Sequence, residues 1–566
     1  MLNFYDFEVF EYDWLVVIVN PLDRTETVII NDPAQLEEYY TQHKNEIWVG
    51  YNNRRYDQYI FKGILCGFNP KEISDHIIRE NKQGWQFSSA LNKVQMINFD
   101  VMLRTDSGLK SLEGMMGNDI QETSVPFDIN RKLTQAEIEE TVKYCRHDVE
   151  QTIEVFLARK AEFDAAMGLV KIFNLPLKFM GKTGAQRVAH ILGGKGVHYH
   201  DEFEFEIVPT LRLSKYKALA DWYRNPVNHD YKKSQDIQIA GVDHTLAWGG
   251  IHGAIKKYCD KGVFLMADVT AYYPSLQLQY KFGYRNMGNP ENFEKIHNEN
   301  LRFKALGDKK ARLPYKIADN AISGQLKDKN SPLYDPRDNN AICVNGQLLL
   351  VDLIEKLEPY CQLIQSNTDG ILLKLRSIKD FDKIDDIVWE WEQRTGMRMG
   401  FDLFERVFQK DVNNYLLVAK DGSTKTKGAY TKKLSTLDND LPIINKALVE
   451  YMVHDVPVEK TIDECMDLIM FQKIVKLSGK YAIVRHNGQG YTQKCFRVFA
   501  STDEDDTYIG KQKSTGMTIE KFGNTPDHCF LVNGDIHGQG VPDKLDRQWY
   551  INMAKERLKQ YGVEVS

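Results

Sequence analysis

Paired cysteines are missing. The chain has eight, Cys66, Cys145, Cys259, Cys343, Cys361, Cys465, Cys495 and Cys529, and no two form a C-x-x-C pair. That scatter excludes a zinc ribbon, an iron–sulfur site and a disulfide framework, and it suits a reducing compartment. No uncharged apolar run is long enough to span a bilayer, and the acidic, aromatic start MLNFYDFEVFEYDW is unlike a cleavable signal sequence. Neither sign of charge dominates, with 73 Lys and Arg against 79 Asp and Glu. A net charge of −6 does not exclude basic patches, because an enzyme that gathers carboxylates around metals offsets its own cationic surfaces. Repeats and low-complexity linkers are also absent. A 566-residue chain of this ordinary composition is expected to be soluble and cytoplasmic, with three or four compact units and no membrane partner.

Two suggestive stretches lead nowhere. Gly181–Gln186, GKTGAQ, lacks the glycine that a phosphate-binding loop needs five residues earlier, where Pro176 stands, so it reads as a helix start. His198–Glu202, HYHDE, offers clustered metal ligands without a closing partner, and its two histidines fit simple strand alternation. The first 165 residues alternate strand-like and helical patterns, with strands over 3–10 and 14–19. Thr134 and Glu137 form a T-x-x-E capping box ahead of a long helix. From Gly262 the pattern changes to a buried strand (GVFLMADVT), a strand–turn–strand hairpin (CQLIQSNTDGILLKL) and a Lys-rich tail from about residue 411.

The N-terminal part carries four acids. Asp6 and Glu8 stand at i and i+2, on one face of a strand. Asp57 heads an apolar stretch after Asn53, and Tyr144 and Asp148 are helix neighbours at i and i+4. Four carboxylates can hold two divalent cations around a phosphodiester. In this order, D-x-E, N-x-x-Y-D and Y-x-x-x-D resemble the proofreading exonuclease motifs of DNA polymerases. The resemblance implies Asp6, Glu8, Asp57 and Asp148 as catalytic metal ligands, Tyr144 as the group orienting the attacking water, and Asn53 as a contact to the frayed primer end.

The second half carries three more pieces. Asp268-Val-Thr-Ala-Tyr-Tyr-Pro-Ser-Leu276 follows an apolar strand and ends on a proline suited to a helix start. Lys316, Asn320 and Gly324 share one helical face, a cation for triphosphate and a glycine for close approach. Asn367-Thr-Asp369-Gly joins two apolar strands. Together with the exonuclease motifs before them, these resemble the D-x-x-S-L-Y-P-S, K-x-x-x-N-S-x-Y-G and D-T-D motifs of family B DNA polymerases, and the small size points to the bacteriophage branch. The resemblance implies Asp268 and Asp369 as ligands of the two catalytic metals and Tyr273 as the steric gate under the sugar. Lys316 and Asn320 would handle the nucleotide, with Lys304 and Arg312 as further triphosphate contacts if Pro314 leaves that helical face intact. Trp248-Gly-Gly resembles the Y-x-G-G segment between the two activities. Tyr415 and Lys427 fall at the K-x-Y and K-G elements, in a Lys-rich run suited to tracking duplex phosphates. Two departures stand out: Asn367 replaces the first acid of D-T-D, and Ser323 the tyrosine of the second motif.

The expected fold is α/β and multidomain, an RNase H-like exonuclease followed by a right-hand polymerase with palm, fingers and thumb. The expected boundaries are 1–165 for the exonuclease, 166–261 for a linking region, 262–412 for a palm with fingers inserted at about 300–326, and 413–566 for the thumb and C-terminal region. The resemblance implies two Mg²⁺ per active site, with Mn²⁺ as a substitute. It implies primer–template DNA and deoxynucleoside triphosphates as partners, and replisome proteins such as a helicase or a single-strand binding protein as accessories. The function so read is template-directed DNA synthesis with 3′→5′ proofreading in phage genome replication. The rival reading is a 3′→5′ exonuclease whose polymerase half is a catalytically lapsed DNA-binding scaffold.

Overall fold

Strict alternation in the first strand decides which residues face which core. In β1 (Leu2–Val9), Tyr5, Phe7 and Val9 turn to a cluster containing Trp48, Ile60 and Phe61, while Phe4 turns to another containing Cys145, Val149 and Phe156. Asp6 and Glu8 share the parity of Phe4 and so lie on the face covered by the helix Gln135–Ala158. Thr134 caps that helix, and the Thr134–Glu137 capping box is formed in both directions. β1 is the central strand of a five-stranded sheet with β2 (Trp14–Asn20), β3 (Thr25–Ile30), β4 (Ile47–Gly50) and β5 (Ile97–Asp100), in the order β3-β2-β1-β4-β5. The three-strand meander is antiparallel, and β4 and β5 add in parallel.

The computed structural model describes residues 1–564, and the chain divides into two compact units. The first comprises Met1–Thr183, Leu434–Pro442 and Cys465–Trp549. Its late segment builds a three-stranded sheet from Lys473–Lys476, Cys495–Ala500 and Cys529–Leu531, and a four-stranded sheet from the short strands between Ile483 and Lys521. Arg497 fastens this segment to the N-terminal part. Fully buried, it donates to the carbonyls of Val532 and Gly534 on one side and of Gly114 and Asn118 on the other. The stretch 413–566, expected as one block, is therefore divided between the units, because the contacts of Cys465–Trp549 run to the first 183 residues.

The second unit comprises Gly184–Lys433, Ile443–Glu464 and the stretch from Tyr550. The expected boundary at residue 261 does not separate anything here, since strands on both sides of it join one sheet. That antiparallel sheet has nine strands: β6 (Ser234–Ile239), β7 (Val242–Ala247), β8 (Ile251–Ala254), β9 (Tyr258–Val269), β10 (Gln362–Ser366), β11 (Gly370–Leu375), β12 (Met399–Asp411), β13 (Asn414–Val418) and β14 (Thr424–Lys427). Their order is β14-β13-β12-β9-β11-β10-β8-β7-β6. The helices Pro290–Ala305 and Lys309–Gln325 form a hairpin inserted between β9 and β10, and Pro314 lies inside the second helix without ending it. The apolar helix Pro336–Leu357 is buried along most of its length.

The two suggestive stretches resolve as ordinary structure. Gly184–Ile191 is a helix. Among the described residues, the groups of side chains able to hold a metal do not include His198 or His200, and neighbouring Asp201 is held by Arg285 at 2.7 and 2.9 Å. No described helix is long and apolar enough to cross a membrane.

Candidate active sites in the two units

In the first unit the four predicted acids converge. Glu8, Asp57 and Asp148 are 7%, 3% and 9% exposed, and Asp6 is half-buried. Asp57 opens the helix Asp57–Leu65 and accepts a hydrogen bond from the backbone N–H of Phe7 at 3.3 Å, which ties it to the strand carrying the other two acids. Burial and mutual repulsion raise all four. Desolvation and then the charges of Asp57, Glu8 and Asp148 lift Asp6, and desolvation and then Asp148 lift Glu8. Desolvation pushes Asp57 up to about 7 and Asp148 up to about 6. The Tyr144 hydroxyl, desolvated and facing Asp148, Glu8 and Asp6, is raised and stays a neutral donor. Glu8 also borders a cleft of about 300 Å³ lined by Tyr56, Phe127, Asp128, and Lys71 and Arg79, both of them paired with Asp75.

Three neighbours escaped the sequence reading. The Lys110 ammonium bonds the carboxylates of Asp148 and Glu113, the latter at 3.1 Å, and lies 4.6 Å from the Tyr144 ring centroid. His147 Nε2 faces the fully buried Glu113 at 3.6 Å. The i, i+3 pair Lys110 and Glu113 was visible as a helix-surface pattern, but nothing in the sequence linked it to residues some forty positions away. Asn53 is fully buried, donating its amide to Asn98 Oδ1 at 2.9 Å and to the carbonyl of Phe99 at 3.2 Å, which braces β5, while its own Oδ1 has no hydrogen-bond partner among the described residues.

In the second unit the register does the positioning. Asp268 near the end of β9 is directly opposite Gly370 on β11, and the N–H of Val269 donates to the carbonyl of Asp369 at 2.7 Å. A Cβ on Gly370 would come 2.0 Å from Asp268 Oδ1, so a larger residue there would push the Asp268 carboxylate out of this position. Desolvation and then the charge of Asp268 raise the Asp369 carboxyl. Asp369 borders a cavity of about 380 Å³ whose other walls include Tyr273, Lys304, Arg312, Lys316 and Asn320. All the residues predicted for nucleotide handling thus meet one carboxylate in one cavity, Pro314 notwithstanding.

Lys425 of β14 spans Asp268 and Asp402 at 2.5 and 3.2 Å, a cationic contact that the Lys-rich run concealed. Lys427 is the cross-strand partner of Tyr415. Asn367 is half-exposed: its Oδ1 accepts from the N–H of Thr368 at 3.0 Å and its own N–H donates to the carbonyl of Gly370 at 2.8 Å. The amide oxygen serves the turn.

No family model matches the chain, and no curated protein matches it in sequence. Among solved structures the chain is similar to the family B DNA polymerase from the hyperthermophilic archaeon Pyrobaculum calidifontis. The identity is 14%, the match covers 100% of this chain and 78% of that one, and the TM-score is 0.41.

Proposed function

We propose that this chain is a template-directed DNA polymerase of the family B, bacteriophage type, carrying its own 3′→5′ proofreading exonuclease. The observation that carries the reading is the meeting of Asp369, Tyr273, Lys304, Arg312, Lys316 and Asn320 in one cavity, with Asp268 brought beside it by its pairing with Gly370 and by the Val269 N–H bond to the Asp369 carbonyl. Three cations beside a carboxylate pair fit a nucleoside triphosphate and its reacting phosphate. The separate cluster of Asp6, Glu8, Asp57 and Asp148 supports a second phosphodiester chemistry in the other unit.

The donors of both clusters fit hard divalent cations. In the first unit, buried carboxylates raised in this way are relieved by a cation held between them, and in both units oxygen donors suit Mg²⁺, with Mn²⁺ as a substitute. Asp268 and Asp369 would hold them in one site, and Asp6, Glu8, Asp57 and Asp148 in the other. When bound, such ions supply Lewis-acid charge at the reacting phosphate and favour the deprotonated form of the attacking oxygen. The protein's own groups do the rest. Lys316, Arg312 and Lys304 hold the triphosphate, the Tyr273 ring limits space under the sugar, and the neutral Tyr144 hydroxyl orients a water toward the terminal phosphodiester.

A 5′-labelled primer on a longer template, incubated with Mg²⁺, tests this. The primer should lengthen when the four deoxynucleoside triphosphates are present and shorten from its 3′ end when they are withheld. A primer that only shortens would leave an exonuclease with a DNA-holding scaffold.

A further inference from the structure

One carboxylate of the helical hairpin has no part in the chemistry described so far. Asp319, on the helix Lys309–Gln325, is fully buried, as are Phe293, Ile296, Ala318 and Ile322 of the same two helices. Among the described residues no lysine or arginine pairs with it, and its partners come from the facing helix. His297 Nδ1 stands 3.1 and 3.3 Å from its two oxygens, and Asn300 Nδ2 donates to Oδ2 at 2.8 Å. A carboxylate only accepts, so the His297 proton is on Nδ1. His297 and Asn300 are both buried and lie one turn apart, on the face turned to the second helix.

Asn300 carries the connection outward. Its Oδ1 accepts from Arg312 Nε at 2.8 Å, and both residues border the cavity of Asp369. Arg312 and Asp319 are two turns apart on one helix, roughly 10 Å of rise, and the amide from the other helix bridges them. An amide donates and accepts at once, as this bridge requires. Turned end for end, it would set donors against Arg312 and an oxygen against Asp319. The bond also decides how the guanidinium is presented. With Nε engaged by Asn300, the two Nη nitrogens are the donors left, and among the described residues no carboxylate pairs with them. A planar pair of N–H donors held in this way fits two oxygens of one phosphate. Lys304, on a flexible stem in the same cavity, has a looser tether, 3.4 Å to Thr270 Oγ1.

We propose that His297, Asp319 and Asn300 are positioning residues, a relay that holds Arg312 in its phosphate-binding orientation before a nucleotide arrives. This rests on the polymerase reading above, in which Arg312 contacts the triphosphate. Ordering an arginine side chain costs rotamer entropy, and a relay formed on folding meets that cost ahead of binding. The two inner bonds are buried, where each is stronger than in water and polarises the next. The relay touches neither catalytic aspartate, so it acts on nucleotide affinity and leaves the chemical step alone.

Single-nucleotide incorporation by the full chain on a primer–template in Mg²⁺ tests this, with KM for the nucleotide and kcat measured separately. Asp319→Asn keeps the shape and removes the charge, and Asn300→Leu removes both bonds of the bridge. Each should raise KM about tenfold, the order of one hydrogen bond to a charged group, and change kcat by less than about twofold. His297→Asn, which can still donate from near the Nδ1 position, should keep most of the wild-type affinity, and His297→Leu should lose it. Arg312→Ala should itself raise KM, and in that background Asp319→Asn should add little, because the relay then has nothing to hold. Primer–template affinity should stay at the wild-type level throughout, which reports a folded second unit. If Asp319→Asn does not fold, Asn300→Leu takes its place in the same cycle with Arg312→Ala. An unchanged KM in Asn300→Leu, or effects that multiply independently in the cycle, would overturn the proposal. A wild-type chain that incorporates nothing sinks the polymerase reading beneath it.

Discussion

Asn367 and Asp369 occupy one turn and do different work. Asn367 spends its side-chain oxygen on the N–H of Thr368, whereas Asp369 opens onto the cavity and feels the charge of Asp268. Asp369→Asn should therefore abolish primer extension while 3′→5′ degradation persists. Asn367→Asp should keep extension and lower the Mg²⁺ concentration it requires, since the carboxylate can still accept from Thr368 and adds a charge. Similar losses from the two changes would mean that both residues only shape a hairpin. In the other site, Asp57 is raised to about 7 from an unfolded value of about 3.9. A raised carboxyl binds its proton more tightly when folded, so its contribution to stability is full below about pH 4 and is lost as pH rises through 7. The metal-free protein should accordingly melt at a lower temperature at pH 8 than at pH 6. Added Mg²⁺ should raise the melting temperature more at pH 8, and Asp57→Asn should shrink both differences by a few degrees. A metal-induced shift independent of pH would contradict the mutual repulsion inferred for the acids.

Single elements were readable where their own residues encode them. Strand parity put Asp6 and Glu8 on one face, the capping box marked the long helix, and the apolar runs flanking Asn367–Gly370 marked the hairpin. Illegible were the pairings made across elements. Lys110 reaches Asp148, and Lys425 reaches Asp268 across more than 150 residues, and no local pattern records either. The bracing of β5 by the buried Asn53 amide was equally invisible, because a motif residue carries no local mark of the strand it is packed against. The Lys-rich tail was misread as one block because composition carries no information about which core a segment joins. Arg497 is what joins it, and burial lowers its guanidinium to about 10. Arg497→Met should strand the carbonyls of Gly114, Asn118, Val532 and Gly534 and cost about 3 kcal/mol or more in denaturant unfolding. A cost under about 1 kcal/mol would show that the late segment is held chiefly by its apolar contacts.

At the scale of the whole molecule, the connections matter as much as the sites. Between Ser275 and Lys316 the chain holds a helix end, one short turn and the helical hairpin, and between Gly324 and Asn367 chiefly the buried helix Pro336–Leu357 and β10. Both stretches are filled by these elements, so on the proposed polymerase reading no further element is present there to part a downstream duplex. Unaided displacement of a long downstream strand should thus be weak, with synthesis on a nicked duplex stopping within a few nucleotides where a gapped template is copied fully. Efficient displacement by the purified chain would contradict this. The two carboxylate clusters belong to different units and share no acid. The most direct test of the account is therefore one gel with two variants, Asp369→Asn and the double change Asp6→Ala with Glu8→Ala, run beside the wild-type chain on a labelled primer–template in Mg²⁺. The first variant should shorten primers and never extend them, and the second should extend them and never shorten them. A wild-type chain that fails to extend, or a pair of variants that lose both activities together, would contradict it.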